Sequence, residues 1–371
     1  MAAGSTTGNL FRITTWGESH GKAVGVVVDG CPAGLSLCEE DIQVYLDRRK
    51  PGQSKFTTPR KEEDLVEILS GVFEGKTTGT PISMIVRNKD QRSKDYSEIA
   101  SMYRPGHADY TFDEKFGFRD YRGGGRSSAR ETIARVAGGA VACKVLKELG
   151  VDVFAYTRSI GPVTCDEKAF DRDFITKNRL AMTDPKAVEE AEAYLEEMME
   201  QKDSSGGVIE CQIHGLPVGI GEPVFDKLSA RLAGGISSIG AVKGFEIGEG
   251  FAVSQMNGSV NNDSFYYDYE GKIAKETNHA GGILGGMSDG SPVIFRAAFK
   301  PTPSIGQTQH TVNRTGDNIE AVIKGRHDPI VVPRAVVVVE TMAAVTVLDL
   351  LLTSMTSRMD NVKAFFGRGE K

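Results

Sequence analysis

Cysteine is scarce in this chain, and its placement excludes more than its number does. Five occur among 371 residues: Cys31, Cys38, Cys143, Cys165 and Cys211. They form no Cys-x-x-Cys pair and no ligand spacing with histidine, so neither zinc nor a disulfide framework is supported, and a reducing compartment, the cytoplasm, fits best. Positive charge is not in excess either. A formal net charge of -6 repels nucleic acid and anionic membranes, so affinity for anions must come from local basic clusters. No basic, apolar, small-residue leader opens the chain, and neither a secretory signal nor a plastid-type extension is expected. The longest apolar run, residues 336–352, is broken by Glu340 and Asp349 and reads as a buried helix rather than a membrane span. No internal repeat is strong enough to define an array. What remains is an ordinary composition, 40% hydrophobic and 25% charged, long enough for one large domain or two intimate ones.

Two apolar stretches, residues 10–15 and 24–29, read as strands flanking the glycine-bounded turn Trp16-Gly17-Glu18-Ser19-His20-Gly21. A helix should follow, opened by a capping box of Ser36 with Glu39, striped by Ile42, Tyr45 and Leu46, and stopped by Pro51-Gly52. It delivers Asp47-Arg48-Arg49-Lys50 at its end, where basic residues also suit the helix dipole. Residues 66–73 and 81–87 read as a strand pair joined by a hairpin loop at 74–80. From 88 to 125 periodicity disappears. Such a length is too great for an ordinary connection, and its many aromatic residues argue for an ordered functional segment.

Glycines then run straight into a helix at Arg122-Gly123-Gly124-Gly125-Arg126-Ser127-Ser128-Ala129-Arg130-Glu131. The spacing predicts a capping box of Ser128 with Glu131, an apolar stripe of Ile133, Ala137, Val141, Val145 and Leu149, and a left-handed cap at Gly150. Glycines that admit close approach, a helix start and three arginines describe an anion cradle; a glycine-rich turn with solvated arginines is the plainer alternative. Further on, Asp184 and Pro185 open a helix carrying Val188, Ala191, Leu195 and Met198, and Ile209, Cys211 and Ile213 alternate as a strand. His214, with no charged cluster beside it in sequence, reads as structural. Glycine clusters at 234–241 and 278–286 fit either close approach to a flat ligand or tight packing. Compact polar groups follow at Lys300-Pro301-Thr302-Pro303-Ser304 and at Lys324-Gly325-Arg326-His327-Asp328-Pro329.

Taken together, Gly17-Glu18-Ser19-His20-Gly21, Arg104-Pro105-Gly106-His107-Ala108-Asp109 and the segments at 122–131, 278–286, 300–304 and 325–329 resemble the chorismate synthase family, in that family's order and along the whole chain. The resemblance implies an α+β fold, one domain over 1–371 with helices packed between two antiparallel sheets, assembled as a homotetramer. It also implies reduced FMN as cofactor, and 1,4-anti elimination of phosphate from 5-enolpyruvylshikimate 3-phosphate without net redox change. Arg49, Lys55, Arg60, Arg104 and Arg130 would meet the substrate's carboxylates and phosphate. Arg126, Ser127, Ser128, Gly240, Ala241, Gly285, Lys300, Pro301, Thr302, Pro303, Ser304 and Arg326 would hold FMN. By the same resemblance, His20 protonates the leaving phosphate, His107 protonates the reduced flavin, and Asp328, with the hydroxyls of Ser19 and Ser127, takes part in removing the C6 proton.

The family usually carries arginine where this chain has Lys55, which keeps the charge but loses the bidentate fork, leaving open a contact with substrate or with a nicotinamide reductant. Pro303 and Gly240 also sit where many members have other small or polar residues. The large insertions of the fungal bifunctional members are missing, so reduced flavin is expected from an external source, with NADPH as an indirect reductant. Two rival classes are a flavin-dependent oxidoreductase acting on a phosphorylated substrate, and a nucleic-acid binder using residues 122–126 as an RGG-like element. The second is disfavoured by a single copy and a negative net charge.

Overall fold

The computed structural model describes residues 4–50, 52, 63–88, 99–323 and 328–367. Alternation builds the first sheet. Strands β1 (Arg12–Gly17) and β2 (Ala23–Asp29) pair across the 17–22 turn, and Val24, Val26 and Val28 point one way into the core, all fully buried. Helix α1 (Glu39–Arg49) follows, then β3 (Val66–Ile68) and β4 (Ile82–Arg87), giving the antiparallel order Thr6–Thr7, β1, β2, β4, β3. A short helix α2 (Asp109–Phe116) interrupts the region without periodicity. Helix α3 (Thr132–Glu148) leads to β5 (Asp152–Ile160), α4 (Pro185–Glu200), β6 (Gly207–His214), α5 (Leu228–Ser237), β7 (Val242–Ile247) and β8 (Val293–Phe299). The second sheet is again antiparallel, ordered β7, β8, β6, β5 and Val163–Thr164. A hairpin of β9 (Thr308–Val312) and β10 (Asn318–Val322) precedes the long helix α6 (Val332–Thr353).

Helix α3 packs on β1, β2 and β4 and on α6, while α6 packs on β5 and β6, so the layers run sheet, helix, helix, sheet. This is the α+β arrangement the sequence pointed to. The close helix pair depends on two glycines. A Cβ at Gly139 would stand 2.4 Å from Thr341 Cβ, and one at Gly138 would press on Ile13 and Val26 at 3.1–3.3 Å. Helix α6 is long and apolar enough to cross a membrane, yet 89% of its most apolar window is buried inside the protein. Its two acidic residues act as docking pins. Glu340 takes a bidentate fork from Arg48 at 2.6 and 2.8 Å, and Asp349 accepts the backbone N–H groups of Asn9, Leu10 and Phe11 and a 2.9 Å bond from Arg231.

Several local expectations shift. Strand β1 begins two residues later than its apolar stretch; Leu10 is exposed, and Phe11, Ile13 and Thr15 turn inward. Cys38, not Ser36, caps α1: its backbone N–H donates to Asp41 Oδ2 at 3.0 Å, while Ser36 bridges to Lys76. The 66–73 strand is cut short after Ile68, because Val72–Phe73 pairs with Lys76–Thr77 in its own tight hairpin, with Glu74 and Gly75 both at positive φ. The Ser128–Glu131 capping box does not form. Ser128 Oγ accepts from Arg130 N and caps a 3₁₀ turn, whereas the Glu131 carboxylate is drawn to Thr15 Oγ1 and Arg135 and α3 starts at Thr132. Leu149, placed in the apolar stripe, lies exposed just past the helix end, although Gly150 takes the expected left-handed cap.

Substituting Gly139→Ala should force α3 away from α6 and cost about 1–3 kcal/mol of stability. Urea unfolding measures it; an unaltered midpoint would mean the two helices are not held at contact distance.

Candidate active site

The Ser19-His20 turn is fixed from three sides. Gly21 N donates to Glu18 O at 3.1 Å, closing the turn, and Ser19 Oγ lies 3.0 Å from His20 Nδ1. Asn88, just after β4, donates to Glu18 O and Gly21 O at 3.0 and 2.8 Å. Gly123 then packs directly on the imidazole, where a Cβ would stand 2.2 Å from Nδ1, so no larger residue fits there. Asp120 lies alongside, its carboxyl held below the usual range chiefly by the bonds from Arg122, with the charge of His20 adding to the effect.

Behind the turn stands a group of guanidinium side chains. Arg49, 2% exposed, donates to Asp64 Oδ2 at 2.9 Å and to Ala129 O at 3.1 Å. Arg130 meets the other Asp64 oxygen at 3.1 Å and gives its Nε–H to Asn88 Oδ1 at 2.6 Å. Arg334 joins α6 to both, donating to Arg49 O at 3.1 Å and to Asp328 Oδ2 at 2.7 Å. Burial pushes the Arg49 guanidinium down to about 10; the nearby charges of Arg334 and Arg130 add to this and Asp64 only partly offsets it. Arg49 Nε is buried with no hydrogen-bond partner among the described residues. Cations crowded in low dielectric with too little negative charge between them form a receptor for an anion.

His107 stands on another loop. The Arg104 guanidinium forks onto Asp109 through two 2.8 Å bonds, and Arg104 O accepts from His107 N at 3.2 Å, so the loop is braced at both ends. Burial alone would raise the Asp109 carboxyl, but Arg104 holds it below the usual range. His107 Nε2 lies 2.8 Å from Ser304 Oγ, and Lys300 Nζ donates to Gly106 O at 2.7 Å. The 300–304 segment is pinned in turn by Lys300 N to Ala241 O at 3.0 Å and by Ser204 Oγ to Thr302 O at 2.7 Å.

These groups form one circuit. Asp328-Pro329 is tied to the second loop through Ser205 N, which donates to Pro329 O at 2.8 Å beside Ser204. On the other side, Arg126 contacts Glu131 at 3.7 Å, Glu131 holds Arg135 at 2.8 Å, and Arg135 donates to Ser238 Oγ at 2.6 Å, two residues before Gly240. The structure thus brings Ser19, His20, Arg49, Arg130 and Asp328 into one neighbourhood and His107, Ala241, Lys300, Thr302 and Ser304 into the adjoining one.

Other expected site residues have their bonds directed within the chain. Arg104 is taken up by Asp109, and Arg126 by Thr15 O, Thr15 Oγ1 and Gly17 O at 2.6–3.1 Å. Ser127 Oγ donates to Gly124 O. Pro301 and Pro303 line the segment, Pro301 against Gly206 and Pro303 against Gly106. His214 stacks on Phe154 in a structural setting. Lys55, Arg60 and Arg326 lie outside the described residues. Asp64, Asn88, Asp109 and Arg334 were missed; only Arg334, a lone cation opening an apolar helix, carried a signal.

The second neighbourhood fits a flat phosphate-bearing cofactor. Thr302 Oγ1 is buried with no hydrogen-bond partner among the described residues. Lys300 is held below the ordinary lysine value by burial and by the charge of Lys243, a pairing that an added phosphate would relieve. Gly240, next to Ala241, has nothing within 4 Å of a notional Cβ, so open space adjoins it, whereas Gly285 sits at positive φ in the separate hairpin of Ile283–Leu284 with Met287–Ser288.

A family model described as chorismate synthase matches residues 11–352. The chain is 67% identical over 364 residues to the chorismate synthase of Agathobacter rectalis and 66% to that of Lachnoclostridium phytofermentans, covering 98% of this chain and 99% of each relative. The enzyme from Synechocystis is 54% identical over 94% of this chain and 97% of its own. A solved crystal structure of a chorismate synthase superposes with a TM-score of 0.76 at 32% identity, covering 97% of both chains. The chain belongs to the chorismate synthase family, lyases of aromatic biosynthesis.

Proposed function

We propose that this chain carries out the family's reaction, the 1,4-anti elimination of phosphate from 5-enolpyruvylshikimate 3-phosphate, with its two neighbourhoods divided between substrate and FMN. The observation that carries the division is the guanidinium group around Asp64, set against the Ser19-His20 turn. Arg49 and Arg130, with Lys55 and Arg60, receive the trianionic substrate. Ser19 engages His20 Nδ1, so we assign the transferable proton to Nε2, from which it reaches the leaving phosphate oxygen. Asp328, oriented by Arg334, together with Ser19 and Ser127, serves the C6 proton. Arg104 belongs to this site as the brace of the His107 loop.

Lys300, Thr302, Ser304, Pro301 and Pro303, with Gly240, Ala241, Gly285, Arg126, Ser127, Ser128 and Arg326, would hold FMN. When bound and reduced, FMN supplies electron density that helps the phosphate leave and is recovered unchanged. His107, its Nε2 engaged by Ser304 Oγ, would supply the proton to the reduced flavin. An external reductant, with NADPH as its indirect source, would keep the flavin reduced. The helix pair shared by both sheets supports one domain over 1–371, and exposed Phe251, Tyr267, Tyr269 and Ile273 support assembly with further copies into a homotetramer. Five unpaired cysteines support a reducing, cytoplasmic setting.

Under anaerobic conditions with reduced FMN, phosphate and chorismate should appear together, with reductant needed in catalytic amounts only. An untouched substrate would refute the assignment, and stoichiometric consumption of nicotinamide would make the protein an oxidoreductase. His20→Ala and His107→Ala should each lower kcat by about two to four orders of magnitude while FMN is retained; wild-type turnover would remove the residue from proton transfer. Arg130→Lys keeps the charge but loses the fork, so KM should rise about ten- to a hundredfold. Steady-state kinetics at fixed FMN reads this, and an unchanged KM would place the substrate elsewhere.

A further inference from the structure

Asn88 is the one side chain that touches both the His20 turn and the Arg130 guanidinium among the described residues. It stands at the end of β4, where its backbone N–H is fixed by Lys22 O at 3.1 Å. Its half-buried amide then makes three bonds, with Nδ2 donating to Glu18 O and Gly21 O and Oδ1 accepting from Arg130 Nε. The orientation of the amide follows from its neighbours. Two carbonyl oxygens on one side require donors, and a guanidinium N–H on the other requires an acceptor, so a flipped amide would lose all three bonds.

No other side chain of this size meets that demand. Aspartate would set a carboxylate against two carbonyls, leucine offers nothing, and glutamine is a methylene too long. Glu18 and Gly21 flank Ser19 and His20, so the amide clips the turn across its two ends. Through Oδ1 the same group sets the plane of Arg130, whose other arm rests on Asp64. A displacement of β4 relative to the turn would therefore move the imidazole and the guanidinium together.

We infer that Asn88 is a positioning residue for the elimination, holding the His20 imidazole and the Arg130 guanidinium at a fixed separation across the substrate. The inference rests on the assignment of His20 as proton donor and Arg130 as anion anchor. Its action on turnover runs through His20, and its action on substrate affinity runs through Arg130. A clip that merely stabilised the fold would show neither dependence.

The test measures kcat and KM with reduced FMN, anaerobically, for Asn88→Asp and Asn88→Ala, alone and combined with His20→Ala or Arg130→Ala, alongside the thermal midpoint. Asn88→Asp should remain folded and lose about ten- to a hundredfold in kcat, with KM raised. In the His20→Ala background its kcat loss should shrink to within about twofold, and in the Arg130→Ala background its KM effect should vanish. Undiminished losses in both backgrounds, wild-type kinetics of the single variants, or loss of folding in both variants would each overturn the inference. Should His20→Ala alone turn over at the wild-type rate, the proton-donor assignment fails separately, and the KM coupling to Arg130 still decides whether Asn88 positions the anchor.

Discussion

Like charges held close together in a poorly solvated place set the terms for the rest of this molecule. Arg49, Arg130 and Arg334 converge with the fully buried Asp64 side chain between two of them and Asp328 on the third. Such a cluster is unfavourable by itself: burial first, and then the charges of Arg334 and Arg130, push the Arg49 guanidinium below its usual value. The fold sustains it by bringing the arginines from three separate elements, the end of α1, the turn before α3 and the first turn of α6, each anchored by burial elsewhere. An anion entering the cluster would complete the charge balance, which supports the proposal that the substrate's negative groups are received here.

Those anchors are themselves ionic. Arg48, adjacent to Arg49, is locked onto Glu340 in the middle of α6, and that carboxylate also accepts from Ala155 N on β5. The end of α1 therefore cannot shift without dragging the core helix and the second sheet. Asp349, two turns further along α6, ties down residues 9–11 just before β1, the strand that leads into the His20 turn. The two carboxylates that interrupt an otherwise apolar stretch of the helix thus tie the core to the end of α1 and to the segment before β1. Their cost of burial is offset by full hydrogen bonding, and what they contribute is register.

The layering was expected from the family resemblance, while individual strands and helices were readable because burial leaves a periodic trace: Val24, Val26 and Val28 alternate, and the stripe on α3 repeats every turn. The glycine at 150 and the Asp184 cap were readable because they solve local backbone problems. Where a residue had both a local and a distant use, the sequence misled. Glu131 has the spacing of a capping partner for Ser128, but the pull of Arg135 and Thr15 Oγ1 is stronger than a solvent-exposed cap, and the helix starts later as a result. Asn88 and Asp64 left almost no local trace, since their partners lie 15 or more positions away and only the closed fold supplies them.

Arginine shows the same limit most clearly. By residue type Arg49, Arg104, Arg126 and Arg130 were equivalent, each a fork suited to carboxylate or phosphate. The structure separates them by how much of each fork the chain itself consumes. Arg104 spends both arms on Asp109, five residues along, and so shapes the loop that carries His107. Arg126 spends its fork on backbone and hydroxyl oxygens of β1 and so holds the glycine-rich turn against the strand. Arg49 keeps a buried Nε–H without a partner among the described residues. Because an unmet donor in low dielectric is costly while a bonded one is not, the fork left incomplete by the protein is the one proposed to meet a ligand. This supports the proposed role of Arg49 toward the substrate's anions, while Arg104 and Arg126, whatever else they bind, also keep His107 and Gly123 where they are.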